Sequence, residues 1–551
     1  MLSGLTFSDG TQLEYENNTQ QRLGYTLTDA KGQSLRVHGE LDTMNRVTSM
    51  DISSGTGGAS TLAASAQTPV DRMTFSYASN SLLENVSFGK GLSTSYQFDG
   101  YDLSGVTVSQ GTTAVHQFNY EYDGNKNITS RTQNGTSDQF TYDELSRIQT
   151  EAGSQKETYT YDSNGNRYST GSGKVYGLKD AEYTYDSQNR LVKATGEGKT
   201  VTYSYNGDGL LYERTEGDKS TRYYYDEEAK LMAEAKVTSG KAELTYAYIY
   251  DLYGQLWARQ DKKTGKLEYY QFNGHGDVIG LVDEAGQVLN EYTYDIWGGP
   301  LTTDETVPNV LRYAGEYWDE TVGLQYLRAR WYDPGMARFI GEDTYEGELN
   351  DPLSLNLYSY VSNNPLKYVD PSGHVAWLIH GTWSDKDTWT KDFRSYLEGM
   401  LDESVTRLSW SGDNNVSARD EAAKDITDRI YKYYLSDPTE PIRLIGHSHG
   451  GNVAIMVANN LADLGVHVET LITIATPVRE YQLTTVYNSY DIVQNNGGSI
   501  KKSAKAKRTF ENALNIEVIL PEKERELYWK GQGIVNHSSM HSNVNGMEEI
   551  Y

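Results

Sequence analysis

Ser448 lies in the run Gly446-His447-Ser448-His449-Gly450, where an apolar strand-like stretch meets an apolar helix-like one. A serine in that setting can be a nucleophile. The G-x-S-x-G spacing suits a sharp strand-to-helix turn, since small flanking residues let the turn close and leave the hydroxyl exposed above a sheet. The helix that follows offers its N-terminus, which favours negative charge developing beside the serine. A glycine-rich loop would read the same over five residues, so the neighbours decide. Residues 441–445 form a short apolar run suited to a buried parallel strand, and Val453, Ala454, Val457, Ala458 and Leu461 recur at helical spacing until Gly465.

About 70 residues before the elbow, residues 374–381 read HVAWLIHG, an apolar strand ending in His-Gly and followed by Thr382 and Trp383. Such a turn supplies a second oxyanion donor in enzymes with this elbow. The other members of a triad follow the serine in the order acid, then histidine, each after a later strand. Strand-like runs fall at 471–475, 483–487 and 516–520. Asp491 comes after the second of these and is the expected acid, with Glu480 in reserve. The segment after the third holds His537, the expected base, and His541, the alternative.

On these residues the region 374–551 resembles a small α/β-hydrolase of the lipase and esterase kind. The resemblance implies acyl transfer to water. Ser448 attacks an ester carbonyl, His537 takes its proton and later gives it to the leaving alcohol, and Asp491 holds the imidazole. Backbone N–H groups of Thr382 and His449 hold the oxyanion, His447 and His449 act as shape-fitting or substrate-contacting groups, and neither cofactor nor metal is needed.

The rest of the chain has a different signature. Tyr122-Asp123, Tyr142-Asp143, Tyr161-Asp162, Tyr185-Asp186, Tyr205-Asn206 and Tyr225-Asp226 recur with steps of 20, 19, 24, 20 and 20 residues. A period near twenty gives one hairpin per unit. Alternation within a unit puts Tyr and apolar residues on one face and polar residues on the other, with Asp, Asn and Gly making the turn. This predicts a long, twisted, antiparallel ribbon, and 45 tyrosines, 52 glycines and only 11 prolines suit a sheet with one wet face. The Ser/Gly/Ala-rich residues 53–67 read as a loop.

These units resemble the YD repeats of the Rhs family. Residues 269–301 are similar to that family's terminal repeat, and residues 313–340, with LNLYSYVSNNPLKYVDPSGH after them, to its core-associated domain. The resemblance implies an all-β shell wound into a hollow cocoon (1–297), a core-associated domain (298–373) and a variable effector, here the α/β-hydrolase (374–551). It also implies self-cleavage next to His374 by Asp343 and Asp370. Two departures weigh against that step: Thr344 stands where the family has proline, and His374 where it often has leucine.

Composition narrows the partners. A net charge of −27 argues against nucleic acid or an anionic membrane as a partner by electrostatics alone, since a phosphate-tracking surface needs clustered cations. The cluster Lys501, Lys502, Lys505, Lys507 and Arg508 reads as a solvated loop, or as a lid contacting phospholipid head groups. Without cysteine there is no disulfide framework or thiolate metal site, and no apolar run is long enough for a transmembrane segment. The start carries no signal peptide and reads as the middle of a repeat array, so the chain is expected to be a fragment of a secreted or cell-surface protein. The functional expectation is an Rhs-type toxin with a serine hydrolase acting on lipid or other esters, countered by a cognate immunity protein over the site mouth near Trp383 and His449. The alternatives are a cell-surface carbohydrate-binding or adhesion protein with an incidental esterase, and a housekeeping esterase or acyltransferase.

Overall fold

The computed structural model describes the chain apart from residues 1–2, 18–21, 45, 57–70, 163–166, 168–173, 227–228, 343–355, 371–374, 382–388, 390–403, 409, 437–441, 467, 475, 477–485, 496–513 and 520–551. The chain divides into two compact units, Met1–Val369 and Asp370–Tyr551.

In the first unit the residue after each repeat tyrosine makes the turn. One carboxylate oxygen of Asp123 accepts the N–H groups of Asn125 (2.8 Å) and Asn127 (2.9 Å), while the Asp123 N–H donates to the Asn127 carbonyl (2.9 Å). Lys126 closes the turn at φ 62°. Asp143 and Asp186 repeat the pattern, and Asn206 reproduces it with its amide oxygen. Each tyrosine sits at a bulge in the strand pairing. Three of the hydroxyls donate to the main chain of the preceding unit, Tyr122 to Leu103 (2.7 Å), Tyr142 to Ile128 (2.7 Å) and Tyr205 to Leu191 (2.6 Å), whereas Tyr185, in the first strand of the second sheet, donates to the Ile340 carbonyl (3.4 Å). Where the preceding unit lies in the same sheet, the dipeptide therefore turns one unit and staples it to the one before.

The stapled units form two meandering antiparallel sheets, of 14 strands from Gly4 to Thr158 and 12 strands from Glu182 to Glu305. Among the described residues the expected single ribbon is thus two sheets, the first ending at Thr158 and the second starting at Glu182. A further four-stranded sheet spans Tyr317 to Phe339. The expectation of one wet face holds for Lys199–Tyr205, where buried Val201 and Tyr203 alternate with exposed neighbours. It fails for residues 231–235, 256–260, 267–272 and 278–282, which are buried at every position. Early strands of the first sheet pack there, with Phe75 and Phe88 against Trp257 and Ser54 bonded to Gln260. The segment around Asn309 and Leu311 joins the same region, Asn309 accepting from the Tyr270 hydroxyl.

The second unit is a parallel sheet in the spatial order Ser404–Leu408, Val375–Ile379, Ile442–His447, Val468–Ile474, Val486–Asn495, Leu514–Ile519. Its first strand in sequence lies inside: the chain steps outward to Ser404–Leu408, then crosses back to Ile442–His447. Crevices for ligands form at the carboxyl ends of strands where the order reverses in this way. The helix His449–Asp463 buries Val453, Ala454, Ile455, Val457, Ala458 and Leu461. The helix Val416–Ser436 joins it through Thr427 and Asn460. Among the described residues no helix is long and apolar enough to cross a membrane.

One boundary corrects the sequence reading. The strand expected at 483–487 runs Val486–Asn495 instead, so Asp491 lies within a strand and not in the loop beyond it. Pairing of the main chain on both edges, with Thr473 and with Asn515, keeps the polar stretch Asn488-Ser489-Tyr490-Asp491 extended. A search for apolar runs passes over such a stretch.

Candidate active site

Ser448 stands between the elbow strand and its helix at φ 54° and ψ −127°. A residue with a side chain is held there only at a cost of about 1–3 kcal/mol, and the surrounding contacts must impose it. They do. The Ser448 N–H donates to the Ile474 carbonyl on the adjacent strand (2.8 Å), and its carbonyl accepts from the Gly451 N–H (3.0 Å). The hydroxyl makes no capping bond to the helix. The flanking glycines are required by contact: a Cβ on Gly446 would lie 2.5 Å from the Gly451 Cα, and one on Gly451 would lie 1.9 Å from the Thr476 Oγ1.

The oxyanion turn reaches the same place. A Cβ on Gly450 would sit 2.4 Å from the Ile379 carbonyl oxygen and 2.3 Å from that of His380, and one on Gly381 would sit 2.9 Å from the Ser448 Cβ. The end of Val375–Ile379 is therefore pressed against the elbow. The imidazole of His380 is fully buried and orders this turn. Its Nε2 accepts the Trp410 N–H (3.3 Å), so Nδ1 carries the proton and donates to the Gly381 carbonyl (3.0 Å). The Trp410 indole N–H donates to the His380 carbonyl (2.8 Å), and the two rings stack at 5.8 Å. The sequence reading missed both side chains. The His-Gly pair signalled its backbone role, whereas nothing in the sequence puts Trp410 beside it.

His449 begins the elbow helix, where first-turn N–H groups have no partner within the helix and suit an oxyanion. Its side chain is buried, Nδ1 facing the Asn452 amide at 3.3 Å. His447 is also buried, edge-on to Trp389. Asp491 pairs through Thr473 with the level of Gly446, two strands from the elbow and about 10 Å across the sheet. Ser448, His449 and Gly381 are thus brought together, with Asp491 placed by its backbone on the strand two positions away. Asp370 is half-buried at the start of the second unit. Thr382, Trp383, Glu480, His537, His541, Asp343, His374 and the cluster 501–508 lie outside the described residues.

Comparison with known proteins agrees with both units. Residues 100–366 match the family model for the teneurin YD-shell, and residues 410–522 match that of the PGAP1-like alpha/beta domain. The tRNA3(Ser)-specific nuclease WapA of Bacillus spizizenii is 34% identical over 50% of this chain and 11% of its own length. The double-stranded DNA deaminase toxin A of Burkholderia cenocepacia is 27% identical over 42% of this chain and 17% of its own. The chain therefore spans less than a fifth of either relative. The crystal structure of TcdB2-TccC3 covers 67% of this chain and 22% of its own at a TM-score of 0.53 and 18% identity, a likeness of fold. Meandering repeat sheets followed in one chain by a parallel sheet with a nucleophile turn define a repeat-shell protein with an α/β-hydrolase domain. Residues 100–366 are thus similar to the teneurin YD-shell, and the second unit carries a PGAP1-like alpha/beta domain.

Proposed function

We propose that this chain is part of an Rhs-type toxin whose second unit is a serine hydrolase of lipid or phospholipid esters. The observation that carries the reading is the backbone of Ser448, held by its neighbours at φ 54° and ψ −127° between strand and helix. In the proposed reaction the Ser448 oxygen bonds to the ester carbonyl carbon while His537, or His541 in its place, takes the hydroxyl proton. The oxyanion forms against the N–H groups of His449 and Thr382. Collapse expels the alcohol, protonated by the histidine, and water attacks the acyl-serine by the same route, with Asp491 stabilising the imidazolium. Loss of one oxyanion donor would cost about 3 kcal/mol of barrier.

Two observations favour this over other classes. The relatives named as a nuclease and a deaminase act on nucleic acids, but the charge of −27 disfavours such a substrate here. Glycan stacking on tyrosine-rich faces is disfavoured where the rings are withdrawn from solvent, as those of Tyr203, Tyr248, Tyr270 and Tyr292 are. Export to the cell surface or medium, and an immunity protein in the producing cell, follow from the toxin reading. The test is hydrolysis of short-chain esters and phospholipid vesicles by the full chain and by Ser448→Ala. The variant is expected to lose about a thousandfold or more in kcat. A folded chain that turns over no ester, or a Ser448→Ala variant as active as its parent, would overturn the reading.

A further inference from the structure

Residues 363–368, in the motif NNPLKYVD just before the second unit, are bonded at nearly every position to turns of the β unit. The Asn364 amide, almost fully buried, donates to the Asn127 Oδ1 (2.9 Å) and to the Ser146 carbonyl (2.8 Å), both in repeat turns of the first sheet. The Pro365 carbonyl accepts from the Tyr313 hydroxyl (3.2 Å). Leu366 is buried in a cluster with Phe118, Tyr120 and Ile279 from both sheets. The Lys367 ammonium donates to the Asn125 carbonyl (2.9 Å). Last, the Tyr368 carbonyl faces the His275 Nε2 (3.3 Å), in a turn of the second sheet.

That final bond fixes the state of the imidazole. A carbonyl can only accept, so Nε2 carries a proton; Nδ1 faces the Asp277 Oδ1 at 2.8 Å, and a carboxylate also accepts. Both nitrogens donate, and the ring is an imidazolium. Asp277 is itself held by the Asn273 amide (2.7 Å) and the Ala314 N–H (3.0 Å).

We propose that residues 363–368 are a clasp that closes over turns of both large sheets and fixes where the chain leaves the β unit, with His275 as its proton-controlled pin. The charged and titratable groups around the pin are Asp277, which favours the imidazolium, Arg131, which opposes it, and Tyr313, whose ring packs on it at 5.3 Å. Burial opposes the charge most, but Asp277 and the Tyr368 carbonyl together raise the His275 pKa above its ordinary value. The clasp is therefore held below the ordinary histidine pKa and released as pH rises through the higher folded value, when Nε2 loses its proton and the Tyr368 carbonyl its donor. A cut anywhere beyond residue 368 leaves the clasp with the β unit.

The experiment is hydrogen exchange of the full chain, read over residues 364–370 at pH 6 and pH 9 and corrected for intrinsic base catalysis. His275→Gln keeps a donor at the Nε2 position without titrating; His275→Asn keeps one only at the Nδ1 position. Wild type and His275→Gln are expected to protect these amides at pH 6, His275→Asn to exchange them about tenfold faster, and only wild type to lose protection at pH 9. Equal exchange in wild type and His275→Asn, or a wild type that follows His275→Gln at both pH values, would overturn the pin. If His275→Asn loses protection throughout the β unit, Lys367→Met is read instead: faster exchange confined to 364–370 supports the clasp, and unchanged exchange refutes it.

Discussion

At the scale of single residues, Ser448 carries two properties that can be separated. Its hydroxyl is the proposed nucleophile, and its backbone occupies a region that glycine enters freely but serine does not. Ser448→Ala removes the first property and keeps the second. Ser448→Gly removes both, and should raise the stability of the α/β unit by about 1 kcal/mol relative to Ser448→Ala, both variants being inactive. Chemical denaturation of the two measures this; equal stabilities would mean that the turn stores no strain. The reverse experiment is Gly450→Ala, whose Cβ meets the Ile379 and His380 carbonyls at 2.4 and 2.3 Å. Main-chain atoms cannot yield as a flexible side chain can, so the oxyanion turn must move. A loss of about 1–3 kcal/mol in stability is expected, together with a fall in kcat.

At the scale of elements, the repeat was readable because its chemistry is local. An aspartate or asparagine that accepts the N–H groups two and four residues ahead needs no partner from elsewhere, so Tyr-Asp spacing alone located the hairpins. Asp186→Asn should then be nearly neutral, since Asn206 makes the same bonds, although the pairing with Arg190 is weakened. Asp186→Ala leaves the Gln188 and Arg190 N–H groups without their acceptor and should cost about 1–2 kcal/mol. Denaturant midpoints of the two variants compare these directly, and equal losses would count against the turn as the source of register. What the sequence hid was non-local. The 24-residue step signalled irregularity without revealing two sheets. Full burial of residues 256–260 depends on strands about 180 residues earlier. Asp491 sits in a strand because two neighbours pair with it, and Trp410 reaches His380 only through the order of a parallel sheet. The elbow itself was legible, since strand, serine and helix are contiguous.

At the scale of the whole chain, stability should favour mildly acid conditions. Glu151, 3% exposed, is raised by burial, with Asp295 and Asp138 adding repulsion, to about 7 against an ordinary 4.5, although Arg131 and the Tyr159 hydroxyl oppose the shift. For a carboxyl whose folded pKa lies above its unfolded one, the stability present below 4.5 is lost as pH rises through 7. From those two values the loss is about 3 kcal/mol. Asp251 and Asp295, also raised mainly by burial, act in the same direction. Glu16 acts in the opposite one: burial alone would raise it, but His38 and Arg36 hold it at about 2, so its contribution is present above 4.5 and lost as the solution is acidified below that. With a net charge of −27 adding repulsion as carboxyls ionise, the β unit should be most stable near pH 5. Glu151→Gln removes the titration while leaving an amide that can bond to Tyr159. Chemical denaturation of the full chain should show the variant gaining stability over wild type at pH 8 and converging with it at pH 4.5. A constant difference across that range would place the titrating group elsewhere, with Asp251 the next to replace.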